Sequence, residues 1–142
     1  MQNQEVKFKG KSSNYSVLIG RNVINQLPIY IKKVCPKTKK IAIVIDKNVP
    51  KKFQTLLKRK LQNYDIVFFS FNANEKAKSL NTVNFYLNKL LASNFNRSDL
   101  IIGIGGGITG DVVGFISSIF KRGINFINVP TTLIAQVDAA IG

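Results

Sequence analysis

The sequence predicts an α/β fold, a mainly parallel sheet with flanking helices. Three observations carry that reading. KKIAIVID and LIIGIG are uninterrupted apolar runs, the kind buried on both faces of a parallel sheet. Stretches with apolar residues at helical spacing separate the candidate strands, so strand and helix alternate as βαβ units require. LIIGIG then runs directly into Gly105, Gly106 and Gly107, followed by Gly110, Asp111 and the apolar segment VVGFISSIF. That third pattern reads as strand, glycine turn, helix. With 142 residues and 45% hydrophobic content, the chain is long enough for one domain with a real core.

In chain order, residues 5 to 19 alternate apolar and polar loosely and predict an opening strand pair. Val23, Ile24, Leu27, Ile31 and Val34 fit one helical face, with Pro28 marking a start or a kink. KKIAIVID ends at Asp46. Val49, Phe53, Leu56, Leu57 and Leu61 mark an amphipathic helix with a lysine-rich outer face. DIVFFSF, residues 65 to 71, is the next strand. Leu80, Val83, Leu87, Leu90 and Leu91 give the next helix, and NFNRSD is a polar turn before LIIGIG. RGINFINVP is a further strand, stopped by Pro130. Thr131 and Thr132 are placed to cap a final helical segment, TTLIAQVDAA. No internal repeat, low-complexity segment or long linker interrupts this order.

Composition excludes several classes of chemistry. There is no histidine, so neither a histidine triad nor a histidine-ligated metal can be built from these residues alone. One cysteine, Cys35, cannot form an intramolecular disulfide and fits a reducing, cytoplasmic compartment. The polar N-terminus has no apolar core of a secretory signal, and no run approaches the ~20 apolar residues of a membrane span. Lys and Arg number 21 against 7 Asp and Glu, a net +14. The lysines are scattered beside asparagines and isoleucines, as AT-rich coding produces. General surface composition is therefore preferred to an anionic ligand as the explanation. Nucleic acid comes last, because no zinc-finger spacing, aromatic RNP pattern or basic heptad region is present.

Ligands of open α/β sheets gather beyond the carboxyl ends of the strands. That rule selects Asp46 to Asn48, the 72 to 78 loop, the 105 to 111 turn and Thr131 with Thr132. In the turn, Gly105, Gly107 and Gly110 satisfy GxGxxG. Glycine permits positive φ and close approach of a ligand to the backbone, and a helix N-terminus attracts phosphate. The motif sits on a late strand, however. The acid expected about 20 residues downstream for the ribose is missing. The competing reading is a turn that only permits tight packing. Asp46 reads evenly as a helix cap or as a ribose acceptor that replaces the missing acid. Glu75 and Lys78 form either a solvated charged loop or an acceptor and a donor on a cofactor. Arg122 is a surface arginine or a fork for phosphate. Asp138, in an apolar segment, is either buried and paired or faces a site.

Residues 105 to 142, GGGITGDVVGFISSIFKRGINFINVPTTLIAQVDAAIG, resemble the signature region of the 3-dehydroquinate synthase family. The family pattern is GGG-x-x-GD, an aromatic and RG before a strand, then VPTTLLAQVD. VIDKNV and NANEKAKSL match its D-x-N and GE-x-x-K segments more loosely, with Asn74 where a glycine is usual. The resemblance implies a Rossmann-like, NAD-binding α/β domain followed by a helical metal-binding domain. It implies conversion of 3-deoxy-arabino-heptulosonate 7-phosphate to 3-dehydroquinate and phosphate, in the shikimate route to aromatic amino acids. NAD is regenerated in each turnover, and a divalent zinc or cobalt ion acts as Lewis acid.

Carried residue by residue, the resemblance places Asp46 and Asn48 on the adenosine side of NAD, flanked by Glu75 and Lys78. Gly105, Gly106, Gly107, Ile108, Thr109, Gly110 and Asp111 hold the pyrophosphate and nearby ribose. Thr131 and Thr132 hydrogen-bond the cofactor. Arg122 resembles an arginine that reaches the phosphate of the keto-acid sugar substrate across a dimer interface, and Asp138 an acid that contacts substrate. The family continues past the position of Gly142 into GK, a further cofactor lysine, and the Glu and two His that hold the metal. The expectation is therefore that residues 1–142 are the NAD-binding N-terminal portion of a longer two-domain enzyme. That enzyme is homodimeric when full length, and the portion alone lacks metal ligands and turnover. A related sugar-phosphate cyclase and a nucleotide-binding remnant are the alternatives.

Overall fold

A computed structural model describes residues 2–137. It contains a separate two-stranded sheet and a four-stranded parallel sheet with helices on both faces. The first is an antiparallel hairpin of β1 (Gln4–Lys9) and β2 (Asn14–Ile19). A single 3-10 turn, Val23–Gln26, leads into α1 (Leu27–Val34). Pro28 sits in the first turn of α1, where its missing N–H would have no partner anyway. The proline thus starts the helix. Val23 and Ile24 fall outside it, and Val34 is exposed instead of completing the apolar face.

The second sheet is built from β3 (Lys40–Asp46), β4 (Asp65–Phe71), β5 (Leu100–Gly105) and β6 (Asn125–Pro130), in the order β4-β3-β5-β6. All three pairings are parallel. Pro130 closes β6 as its last residue. The connecting helices are α2 (Lys51–Lys60), α3 (Leu80–Ala92) and α4 (Gly107–Ile119), and a short α5 (Leu133–Val137) follows β6.

Side chains alternate across β3 and β5 and feed two cores. Ile41, Ile43, Ile45, Leu100, Ile102 and Ile104 pack against α1 and α2 through Leu27, Ile31, Leu57 and Leu61. Ala42, Val44 and Ile101 pack against α3 and α4 through Val83, Tyr86, Leu90, Val113 and Ile116. The burial of both faces explains why these strands read as continuous apolar runs. Helix α3 departs from the predicted face. Leu80 and Leu91 are exposed, and Tyr86 takes the core position, its hydroxyl donating to the Ser70 carbonyl at 2.6 Å. Burial pushes the Tyr86 phenol above its usual range and so keeps the donor protonated. Burial likewise raises the Cys35 thiol, which lies in the α1/α2 core.

Candidate functional site

The strand order creates a switch point between β3 and β5. The chain leaves β3 through α2 on one face and leaves β5 through α4 on the other. The crevice between two such exits is where ligands enter open α/β sheets. Asp46 and Asn48 stand at one lip of it, at the end of β3. The glycine turn stands at the other, at the end of β5.

At the first lip, Asp46 makes a local turn. Its Oδ1 accepts from the Asn48 N–H at 2.9 Å, and its carbonyl accepts from the Val49 N–H at 2.9 Å. Asn48 is exposed and Asp46 half-buried. Asp46 is therefore not the helix cap: α2 begins after Pro50, whose position supplies no side-chain hydrogen bond, and Asp46 instead orders the turn before it with one oxygen, leaving the second for the ribose reading.

At the second lip the glycines divide by role. None of Gly105, Gly106, Gly107 and Gly110 has positive φ; among the described glycines only Gly123 does. The reason for glycine here is space, not a left-handed backbone. A Cβ on Gly105 would stand 2.7 Å from the Thr109 Cβ, and one on Gly106 3.4 Å from the Thr132 Cγ2. A Cβ on Gly110 would meet the Asn128 amide at 3.4 Å. A Cβ on Gly107 would meet nothing within 4 Å. Gly105 thus satisfies the packing reading, and Gly107 borders open space.

Helix α4 starts at Gly107, and its N-cap, Gly106, supplies no side-chain hydrogen bond. The first-turn N–H groups of Gly107, Ile108 and Thr109 are left without intrahelical partners, at the positive end of a 13-residue helix. Thr109 is fully buried, and its Oγ1 has no hydrogen-bond partner among the described residues. A buried orphan hydroxyl beside unfilled helix donors is unusual, since such groups are normally paired.

The remaining candidates sort by which end of the sheet they occupy. Asn74, in extended backbone, caps a 3-10 turn, Glu75–Ala77, its Oδ1 accepting from the Ala77 N–H at 3.1 Å. The usual glycine is therefore replaced by a cap. Glu75 is exposed on this loop. Lys78 leads back to the glycine turn, where its Nζ meets Asp111 Oδ2 at 3.0 Å. Thr131 donates its N–H to the Gly105 carbonyl at 2.8 Å, and Thr132 Oγ1 accepts from the Ala135 N–H at 3.2 Å, which is the predicted cap of α5. All of these stand at the carboxyl end.

Arg122 does not join them. It lies with Lys121 in a left-handed bend, φ 67° and 47°, just before β6, at the amino end of the sheet. The six residues of β6 separate it from the turn by roughly 20 Å. Asp138 lies outside the described residues. Asn128 is an addition: a polar residue in the middle of β6, between Ile127 and Val129, it sits against Gly110. Among the described residues no group of three or more His, Cys, Asp or Glu is arranged to hold a metal. No described helix is long and apolar enough to cross a membrane.

Residues 68–142 match the family model for the N-terminal region of 3-dehydroquinate synthase. The chain belongs to the 3-dehydroquinate synthase family. A 3-dehydroquinate synthase from Pelagibacter ubique is 43% identical over 138 residues, covering 97% of this chain and 38% of that protein. The chain thus spans well under half the length of that relative. Among solved structures, a 2-deoxy-scyllo-inosose synthase complexed with carbaglucose-6-phosphate, NAD+ and Co2+ superposes with a TM-score of 0.80 at 25% identity, over 94% of this chain and 36% of that one. The 2-epi-5-epi-valiolone synthase of Streptomyces hygroscopicus, with NAD+ and Zn2+ bound, gives 0.59 at 26% identity, over 80% and 32%. The dehydroquinate synthase family assignment and the Rossmann-like fold therefore agree.

Proposed function

We propose that this chain is the NAD-holding N-terminal domain of a cytoplasmic 3-dehydroquinate synthase. The observation that carries the reading is the uncapped start of α4 at the switch point, with open space at Gly107 and the orphan Thr109 hydroxyl. These features fit a pyrophosphate, which needs N–H and O–H donors and close backbone approach. In this reading the N–H groups of Gly107, Ile108 and Thr109 hold the pyrophosphate. Asp46 accepts from a ribose hydroxyl while Asn48 orders the loop. Lys78, steered by Asp111, sets positive charge beside the phosphates. Glu75 flanks the ribose, and Thr131 and Thr132 close the far side of the turn.

Bound NAD supplies a reversible hydride acceptor. The metal, zinc or cobalt, would be held by residues of the second domain, and Asp138 would contact substrate there. Arg122 stands too far from its own glycine turn to serve it. It fits a role toward the substrate phosphate held by another copy, so the complete enzyme is a homodimer. The substrate is 3-deoxy-arabino-heptulosonate 7-phosphate and the product 3-dehydroquinate.

The 142-residue chain alone is expected to bind NAD and to form no dehydroquinate. Calorimetric titration tests the first part: no heat at millimolar NAD would leave a remnant as the better reading. A second reading, a related sugar-phosphate cyclase, is favoured by the 0.80 TM-score to the inosose synthase. The greater identity to a 3-dehydroquinate synthase stands against it. Product analysis of the chain joined to a complete second domain separates the two.

A further inference from the structure

Arg122 sits in an unfavourable stretch of backbone. Lys121, Arg122 and Gly123 take φ of 47°, 67° and 112° in succession, between α4 and β6. Only the glycine suits that region. Residues with a side chain persist there where the surrounding structure imposes the conformation. Here the surrounding structure is the turn at residues 95–99, just before β5. Arg97 Nε donates to the Gly123 carbonyl at 3.3 Å, and Lys121 Nζ donates to Asn96 Oδ1 at 3.4 Å. From the start of β6, the Asn125 side-chain amide donates to the carbonyls of Ser98 and Asp99 at 3.2 and 3.0 Å. The turn is anchored in its own right. The buried Asp99 carboxylate accepts from the N–H groups of Asn96, Lys39 and Lys40. A chain of hydrogen bonds therefore runs from the start of β3, through the turn, to the bend.

The cations at this corner divide by what they touch. Arg97 and Lys121 join the turn to the bend. Arg122 is exposed and enters none of the ion pairs formed among the described residues. We infer that Arg97 is a positioning residue for Arg122. By holding the Gly123 carbonyl it keeps the left-handed bend in place, and the bend fixes the direction in which the Arg122 guanidinium leaves the backbone. Release of that carbonyl lets Lys121 and Arg122 relax to the right-handed or extended regions that their side chains prefer, which swings the guanidinium aside. A displacement of about 1 Å in a binding group can cost on the order of 100-fold in rate. The inference rests on the proposed reading of Arg122 as a group for the substrate phosphate. In it Arg97 touches neither substrate nor NAD and acts through Arg122.

The chain joined to a complete second domain serves for two measurements. Arg97→Met keeps the length of the side chain and removes its donors. Hydrogen exchange reads the bend through the N–H groups of Gly123 and Ile124, which donate to the Phe120 and Ser117 carbonyls. Both are expected to exchange roughly 10-fold faster in Arg97→Met, with the amides of β3 and β5 unchanged. Kinetics read the consequence. Arg97→Met and Arg122→Ala each lower kcat/KM for the phosphorylated substrate at least ~10-fold, and the double variant is no worse than Arg122→Ala alone, because one residue acts through the other. NAD affinity stays unchanged, and Arg97→Lys, which keeps a donor, recovers part of the loss. Unaltered exchange in folded Arg97→Met overturns the inference. So does a double variant whose losses multiply, which would make Arg97 an independent contact or a general support of the fold. An Arg122→Ala enzyme with full activity defeats the reading of Arg122 itself, and the inference with it. A damaged Arg122→Ala enzyme beside an intact Arg97→Met enzyme defeats the inference alone.

Discussion

Three adjacent glycines look alike in the sequence, and their surroundings assign them different work. Gly105 lies under Thr109, so Gly105→Ala forces the Thr109 side chain or the strand to move. Overpacking of this kind costs about 1–3 kcal/mol, visible as a lowered melting temperature. Gly107 has nothing within 4 Å of its missing Cβ. Gly107→Val is therefore expected to keep the fold and to lose NAD affinity at least ~10-fold by filling the approach to the α4 donors. Thr109→Val probes the same site from below. Replacing a hydroxyl that has no partner is neutral or stabilising in the free chain, while loss of a donor to phosphate weakens NAD by roughly 10-fold. A melting curve and a titration on each variant read the two effects separately. Unchanged NAD affinity in both Gly107→Val and Thr109→Val would falsify the pyrophosphate assignment. The spacing of the glycines was legible in the sequence, but their division into packing and opening was not, because it depends on Thr109, Thr132 and Asn128 folding back over the turn.

The strands and helices were legible because the sheet buries both faces, which makes residues 41–45 (IAIVI) and LIIGIG continuous runs without a polar side chain. Helix α3 was harder. A leucine-based stripe selects Leu80 and Leu91, whereas the core takes Tyr86, whose ring edge-packs against Phe69 and whose hydroxyl finds the Ser70 carbonyl. The clamp at the opposite end of the sheet was not legible at all. Asp99 is 3% exposed; its Oδ1 accepts from the N–H groups of Lys39 and Lys40 at 3.2 and 2.9 Å, and its Oδ2 from the Asn96 N–H at 2.8 Å. One carboxylate thus joins the starts of β3 and β5, which are far apart in the chain. The available signal was an acid just before an apolar strand, which looks like any polar turn. Asp99→Ala leaves three N–H groups without their acceptor. It is expected to destabilise by about 3 kcal/mol and to lower the melting temperature by on the order of 10 °C, with NAD affinity of the folded fraction unchanged.

At the scale of the molecule, the described residues form two sheets of unequal standing. The four-stranded sheet is locked by two cores and the Asp99 clamp, and both ends of it carry candidate chemistry: the cofactor turn at one, Arg122 at the other. The hairpin has no comparable core; an ion pair from Glu5 to Lys33 ties it to α1. Such unequal anchoring predicts separate opening of the weaker unit. Partial desolvation is the largest single influence on the Glu5 carboxyl and acts to raise it. Hydrogen bonds from Lys33 and Ser16, with the positive charges of Lys33 and Lys7, together outweigh it and hold the carboxyl below its usual value. A carboxyl whose folded-state value is depressed contributes stability that is complete above the unfolded value and is lost as pH falls through the folded value. Acidification below the ordinary glutamate range is thus expected to weaken slightly the tie between the hairpin and α1, while β3 to β6 stay closed. Hydrogen exchange resolved by residue reads this directly: hairpin amides should lose protection first, with sheet amides unchanged over the same pH interval. Glu5→Gln should lower the hairpin's protection slightly and make it nearly independent of pH across that interval. Equal, simultaneous loss of protection in both sheets would show that the hairpin is held by the core and not by Glu5.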